Sequence, residues 1–474
     1  MNERTHCGSQ ERGAAMPRRM TDGRNGGCLG RTRRQALGAL LRGAAGGSGV
    51  LGAAACGAGG SGAPPSRPVE RTVKDELIWL IWSSNTGVRG EAYNAMARSF
   101  AERFPNVTAT QVVAGEGPFG ATFEKLVTLI AGGNRLDIVG VVPEFAPVYM
   151  DKARALSDLN VWLRRDTTAR ATDHVKGAID GLTWKGRLAA LPIGLSTSIA
   201  VYNQDILQRK GVAPPKPDWE MNQVVDLALR LTERRGPDDT IWGYHDRMPN
   251  PLRLYTYVWA FGGEPMTPRE EPVQFRWSKD PRTLEAIEWV VDLHRKHGVR
   301  AGGHTSEGNS GSGAFPQNRV AIAGYQINIL TSIPPDLRYD VLPMPRGRNG
   351  RHLYFWGFCY GLAPQSPAPE LAWEFLKHIT GEPGQREWMA KARFAPSLKS
   401  LLSGLYLRLE GPPASKQIVA DAALSTERFP MHVQWPDMIP RIEQMVKDAD
   451  AGTKSVRDAL ATLDEELAAI ARRT

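Results

Sequence analysis

LIWLIWSSNTGVRGEAYNAMARSFAERFPNVTATQVVAGEGPFGATFEKLVTLIAGGNRLDIVGVV, residues 77–142, carries the architecture of this chain. Leu77–Trp82 is a short apolar run and reads as a buried strand. Gly90–Phe104 sets Ala92, Met96, Ala97, Phe100 and Phe104 at helical spacing and stops before Pro105, as a helix must. Val107–Val113 alternates and is rich in β-branched residues, which makes it a second strand. Ala121–Ala131 is helical and ends at Gly132-Gly133; Leu136–Val142 is a third strand, followed by a helix around Glu144–Lys152. Strand, helix, strand, helix, strand implies a largely parallel, doubly wound α/β sheet.

Outward from this unit the alternation continues. A long helix follows PPKPDWE (214–220) and runs through Arg230. Arg282–His297 is an amphipathic helix with Leu284, Ile287, Val290, Val291 and His294 on one face. Tyr339–Pro345 and Phe355–Ala363 read as strands, and Leu371–Ile379 and Ser455–Ala471 as helices. The Gly- and Ser-rich stretch His304–Gly313 reads as a surface loop. At 474 residues the chain exceeds one ordinary domain, so two lobes are expected.

The formal charge of +9 invites a nucleic-acid reading, but its distribution opposes one. Residues 1–55 hold nine arginines against three acids, which leaves 50 basic and 47 acidic residues in the remainder. A near-neutral body lacks the basic stripe that phosphate backbones require. Those first residues form an address. GRTRRQALGALLRGAAGGSGVLGAAAC (30–56) places paired Arg33 and Arg34 before a weakly apolar stretch that ends in small residues. This is the order of an export signal, and its low hydrophobicity resembles a twin-arginine signal. Ala53-Ala54-Ala55-Cys56 resembles a bacterial lipobox, with Ala53 where leucine is usual, so Cys56 is the expected lipidation site. Gly57–Pro68 (GAGGSGAPPSRP) is then a flexible tether. Of the four cysteines, Cys7 and Cys28 lie in the address and Cys359 in an apolar run, so no disulfide framework is expected.

Enzyme signatures are weak. Gly115–Gly120 (GEGPFG) matches a dinucleotide-binding loop, and Asp137 lies near its expected acid. Yet Glu116 puts a negative charge where a pyrophosphate would sit, and Pro118 removes a backbone donor. His294 and His297 have metal-compatible spacing, but they close the last turn of a helix, where cations complement the dipole. No cofactor or metal is expected. An exported enzyme acting on polysaccharide, with Glu116 and Glu144 as its carboxylate pair, is the alternative to a binding protein.

Seven patterns in order resemble the extracellular solute-binding proteins of bacterial ABC importers, in their maltose-binding-like, carbohydrate-binding branch. They are LIWLIWSSN (77–85) with FAERFPNVTAT (100–110), KLVTLIAGGNRLDIVGVVPEF (125–145), GRLAALPIGLSTSIAVYNQDIL (186–207), GVAPPKPDWE (211–220), FPQNRVAIAGYQ (315–326), YDVLPMPRG (339–347) with FWGFCYGLA (355–363), and ELAWEFLKHIT (370–380). The family's pattern is broken at Ala189, Asp218, Asn318 and Ile322. The resemblance spans residues 75–474 and implies a type 2 periplasmic-binding fold: two α/β lobes with a hinged cleft, the chain crossing near Leu195–Ala200 and again near Trp356–Gly361. The implied organisation is signal 1–55, tether 56–70, first lobe 71–195 and 356–400, second lobe 196–355 and 401–474.

It further implies a non-enzymatic, monomeric receptor, anchored outside the cell through Cys56, that delivers a sugar to permease subunits. Sugars present apolar ring faces and a belt of hydroxyls, so their sites combine aromatic platforms with polar edges. At strand ends the candidates are Trp82, Ser83 and Asn85, then Glu116, then Glu144 and Phe145. From the second lobe and the crossings come Trp259, Tyr325, Gln326, Trp356, Gly357, Arg393 and Trp435. Trp162, Trp289, Trp373 and Trp388 lie within helical patterns and are assigned to core or surface rather than to the site.

Overall fold

In the computed structural model the three N-terminal strands pair in parallel, Asp75–Ile81 lying between Val107–Val113 and Ile138–Val141. The structure describes residues 69–473 apart from 82–85, 114–118, 237–238, 247–249, 272 and 301–312. The expected loop His304–Gly313 therefore falls largely outside the described residues. Helices Gly87–Arg103 and Phe119–Ala131 make the two crossovers. Leu77, Trp79, Leu80 and Ile81 are all buried, as a strand covered on both faces requires. The Trp79 ring is met edge-on by Tyr93, Phe375 and Tyr360 at 5.2, 5.2 and 5.3 Å between ring centres.

Two later strands complete this first sheet, in the order Val107–Val113, Asp75–Ile81, Ile138–Val141, Trp356–Leu362, Leu191–Ser196. Trp356–Leu362 runs antiparallel to both neighbours. Asp137 ties the layer together: it is buried and accepts from Ile78 N at 2.8 Å and Arg135 Nε at 2.9 Å, with Ser366 Oγ also on its carboxylate. The acid beside the apparent dinucleotide loop is thus a structural anchor.

The second sheet runs Tyr339–Leu342, Ser198–Asn203, Val320–Gln326, Thr240–Asp246, Glu233–Arg234. Val320–Gln326 and Thr240–Asp246 are parallel; the other pairs are antiparallel. Helices Trp435–Ala451 and Val456–Ala471 pack on each other and on Pro281–Arg295. That last helix is capped by Asp280, and its C-terminus turns at Gly298 with a φ of 60°. His294 Nδ1 lies 3.3 Å from the Arg300 carbonyl, beside that turn.

The chain leaves the first sheet at Ser196 and enters the second at Ser198, with only Thr197 between. It returns through Leu353–Tyr354, which pairs with Thr426–Glu427, and Phe355. Trp356 already belongs to the first sheet, so the return lies just upstream of the expected stretch. Thr197 Oγ1 donates to the Tyr354 carbonyl at 2.8 Å and pins the two passages side by side. The expected helix around Glu144–Lys152 is helical but irregular: a 3-10 turn, Pro143–Phe145, then a π-type turn, Val148–Lys152. Pro147 between them has no N–H to continue a regular ladder.

Candidate functional site

The open α/β rule places a ligand at the carboxyl ends of the strands, and here that edge of the first sheet abuts the two passages. Glu144 stands there, in the turn after Ile138–Val141. It is buried, and among the described residues neither carboxylate oxygen meets a hydrogen-bond partner in another residue. Burial raises its pKa to about 7, opposed by its own backbone amide. Among the described residues the groups in electrostatic reach are Tyr149, Tyr354 and Cys359, all fully buried. Burial pushes the Tyr354 phenol up to about 12 and the Tyr149 phenol and Cys359 thiol well above their usual values, so all three stay neutral.

Tyr354 links this acid to the second sheet, because Arg253 and Asp246 also act on its phenol. Asp246 ends the Thr240–Asp246 strand and is gripped by Arg253, Nε to Oδ1 at 3.0 Å and Nη2 to Oδ2 at 2.8 Å. Arg253 Nη1 donates to Ser198 Oγ at 3.0 Å, Tyr257 donates to Asp246, and Tyr244 meets the Tyr257 hydroxyl at 2.8 Å. Burial alone would lower the Arg253 pKa; the Asp246 carboxylate outweighs it and leaves it raised. Gly324 stands opposite Asp246 on the neighbouring strand. A Cβ there would lie 2.4 Å from Asp246 Oδ2 and 2.7 Å from Arg253 Nη2, so only glycine admits this network.

Around Phe429 the rings of Tyr255, Trp435, Tyr354 and Trp259 gather at 4.8, 5.5, 6.2 and 6.3 Å. The Arg269 guanidinium covers the Trp259 ring at 4.2 Å, and Trp435 Nε1 donates to the Pro430 carbonyl at 2.6 Å. Among the described residues the Tyr255 hydroxyl and the Trp259 indole N–H are buried without a partner. The helix that Trp435 opens packs against the turn bearing Glu144. Orphaned polar atoms and aromatic faces therefore meet in one region, the composition a saccharide demands. On the same side the tips of two hairpins touch: Lys185 N donates to Glu270 Oε1 at 2.8 Å, and Lys185 Nζ lies 3.7 Å from Glu271.

The candidates divide accordingly. Glu144, Trp259 and Trp435 come together, joined by Tyr354, Phe429, Tyr255 and the Asp246–Arg253 pair, none of which is among the sequence-based candidates. Tyr325 and Gln326 end the strand beside Asp246, and the Tyr325 ring lies 6.0 Å from His245. Trp356 and Gly357 open the return strand, the Trp356 ring packing edge-on against Phe358 at 5.5 Å. A Cβ on Gly357 would lie 2.4 Å from the Gly194 carbonyl, so this glycine serves close strand approach. Phe145 is core. Arg393, with a φ of 54°, lines a separate surface pocket with Leu330, Tyr406, Glu410 and Lys416. Trp82, Ser83, Asn85, Glu116 and Cys56 lie outside the described residues. Trp373 and Trp388 are buried, Trp162 packs on Trp373 at 5.7 Å and Trp289 on Tyr257 at 5.4 Å.

A model of the family described as bacterial extracellular solute-binding protein matches residues 95–426, more than half of the chain. The chain belongs to this family. It is a family of extracytoplasmic binding proteins rather than enzymes. This solute-binding protein is 21% identical over 316 residues to a Brucella abortus protein named as a binding protein, covering 64% of this chain and 70% of that one. Among solved structures it resembles an ABC substrate-binding protein of Listeria monocytogenes in complex with cycloalternan, with 19% identity, a TM-score of 0.73, and 83% and 98% of the two chains covered. A solute-binding protein of Thermotoga lettingae bound to α-D-tagatose gives 19% identity and a TM-score of 0.71 over 84% and 100%. The GacH receptor of Streptomyces glaucescens, whose structures include a complex with acarbose, gives 17% and 0.70 over 84% and 99%. These likenesses establish the two-lobed α/β binding-protein fold. No helix among the described residues is long and apolar enough to cross a membrane.

Proposed function

We propose that this protein captures a saccharide between its lobes by hinge closure and presents it to the permease of an ABC importer. The observation that carries the reading is the meeting of an unpartnered buried acceptor, Glu144, with the aromatic group around Phe429 beside the two chain passages. A ring face stacked on Trp259 or Trp435 and hydroxyls donated to Glu144 satisfy both sets of groups at once. The structural neighbours solved with tagatose, acarbose and cycloalternan support the same ligand class. Closure must be favoured by the ligand over the open form, or the permease receives no signal.

The anchor belongs to this proposal. Cys56, lipidated after removal of the twin-arginine signal, holds the body to the outer face of the membrane through the 57–68 tether. Fractionation tests it: Cys56→Ser is expected to move the protein from the membrane to the soluble extracytoplasmic fraction. Retention of the variant on the membrane refutes the anchor. A thermal-shift panel of mono- and oligosaccharides tests the ligand class, since a ligand at a hundred times its Kd adds about 2.7 kcal/mol of stability.

A further inference from the structure

His352 stands one residue before Leu353–Tyr354, at the head of the return passage, and both of its ring nitrogens face acceptors. Nδ1 lies 2.6 Å from Glu427 Oε1, and Nε2 lies 2.8 Å from the Asn349 carbonyl oxygen. A neutral imidazole carries one ring hydrogen and serves only one of them; the imidazolium serves both. The Glu427 carboxylate raises the His352 pKa above the ordinary 6.5, against burial and with help from the Asn349 carbonyl, and His352 in turn lowers that of Glu427. Arg269 opposes the imidazolium charge from the other Glu427 oxygen, which it meets at 3.0 Å while Glu264 also holds it. The remaining charged neighbours have partners of their own. Arg428 pairs with Glu270 at 3.0 Å, Arg348 pairs with Glu285, and Arg351 donates to the Met344 and Pro217 carbonyls.

The pair sits on the ribbon that Leu353–Tyr354 forms with Thr426–Glu427, and that ribbon is held from both sides. Helix Lys176–Gly181, which also packs on the first sheet, approaches so closely that a Cβ on Gly177 would lie 2.0 Å from the Thr426 carbonyl oxygen. Helix Pro251–Phe261, whose Arg253 grips Asp246 of the second sheet, packs on Leu353–Tyr354. Asn349 fixes the turn before His352 to the end of this second helix: its N–H donates to the Ala260 carbonyl at 3.0 Å and its Nδ2 to the Trp259 carbonyl at 3.1 Å.

We propose that His352 and Glu427 form a proton-operated fastener on the hinge: the charged imidazole ties the ribbon to the Asn349 turn and stiffens the return passage, and loss of its proton in an alkaline medium loosens it. The neutral ring keeps its one hydrogen for Glu427, so the ion pair lapses to an ordinary hydrogen bond. Nε2 then turns a lone pair toward the Asn349 carbonyl, and the Asn349 side-chain amide, 3.0 Å away, becomes its donor. Because the folded-state pKa is raised, the fastening is complete below 6.5 and is lost as pH rises through the raised value. A protein outside the cytoplasm meets the proton activity of its surroundings directly, and an imidazole at the hinge lets that medium set how readily the lobes move. The inference rests on the hinge closure proposed above and deepens it.

Two measurements on the full chain test it, neither needing a ligand. Heteronuclear NMR of the histidine ring nitrogens, with His352 assigned by its loss in His352→Gln, is expected to show a titration above 6.5 and hydrogens on both nitrogens below it. Glu427→Gln is expected to bring that titration down toward 6.5. Hydrogen exchange, corrected for the intrinsic pH dependence of amide exchange, reads the ribbon itself at residues 353–356, where Phe355 N donates to the Glu427 carbonyl at 2.9 Å. Protection there is expected to be about three- to tenfold higher at about pH 5.5 than at about pH 8.5 in the wild type, and this difference is expected to shrink to less than about twofold in His352→Gln. Glu144 titrates in the same window and acts on Tyr354, but both proteins carry it, so the contrast between them belongs to His352. A wild-type His352 that titrates at or below 6.5, or protection that follows pH equally in both proteins, overturns the inference and leaves the saccharide reading, which the thermal-shift panel tests separately, intact.

Discussion

Glu144→Gln is expected to stabilise the unliganded protein at alkaline pH while weakening ligand capture. The Glu144 carboxyl has an ordinary value of 4.5 and is raised to about 7 in the fold, so the folded chain holds the proton more tightly than the unfolded one. Stability therefore falls as pH rises through the window from 4.5 to about 7, then levels off. At about 1.36 kcal/mol per pKa unit, the ionised acid costs the fold about 3 kcal/mol above that window. Glutamine does not ionise and escapes this term. With an unfolding entropy of about 2.1 cal/mol/K per residue over roughly 400 folded residues, the gain is about 4 °C in Tm. Scanning calorimetry of both proteins at about pH 8 and about pH 5 measures it, the difference being present at the higher pH and nearly gone at the lower. A variant less stable than wild type by the same amount at both pH values would show that Glu144 is satisfied in the fold, and the argument from its isolation fails.

Other consequences follow from named contacts. Asp246→Asn leaves Arg253 buried without its counter-charge and is expected to cost about 3–5 kcal/mol, read as a lower denaturation midpoint; a midpoint within about 0.5 kcal/mol of wild type contradicts this. Gly324→Ala drives a Cβ to 2.4 Å from Asp246 Oδ2 and is expected to lower stability by about 1–3 kcal/mol, whereas Gly87→Ala meets no atom and pays only for its φ of 60°. His174, buried against Ser397 Oγ at 2.9 Å, is held down to about 4 by burial, so its contribution is full above 6.5 and lost as pH falls toward 4. Replacing it with Asn is expected to flatten the acid limb of the Tm profile, and an unchanged limb refutes that assignment.

The first lobe was legible because its signals are local. The apolar run at Leu77–Ile81, the β-branched Val107–Val113 and the helical spacing of Phe100 and Phe104 each state one element without help from distant residues. Thr240–Asp246 carries no plain strand signal in the sequence, since Gly243, His245 and Asp246 interrupt its apolar character. Gly243 is there because a Cβ would lie 1.9 Å from the Ala228 carbonyl, and Asp246 because Arg253 awaits it; both reasons are tertiary. The site shows the same division. Glu144 could be placed at a strand end from its position alone, but its lack of a partner is a property of everything around it. Phe429 carried no sequence signal, and it is the ring on which Trp259, Trp435 and Tyr354 converge.

The central claim, that the groups around Glu144 and Phe429 hold a saccharide, is tested most directly by the indole fluorescence of the protein during saccharide titration. Trp259 and Trp435 pack on Phe429 and report on any ligand that enters there. The account predicts a saturable spectral change with at least one neutral saccharide, diminished in Trp259→Phe and absent with Glu144→Gln at the same concentration. Saturable binding measured by calorimetry with full spectral response in both variants would place the ligand elsewhere and contradict the account.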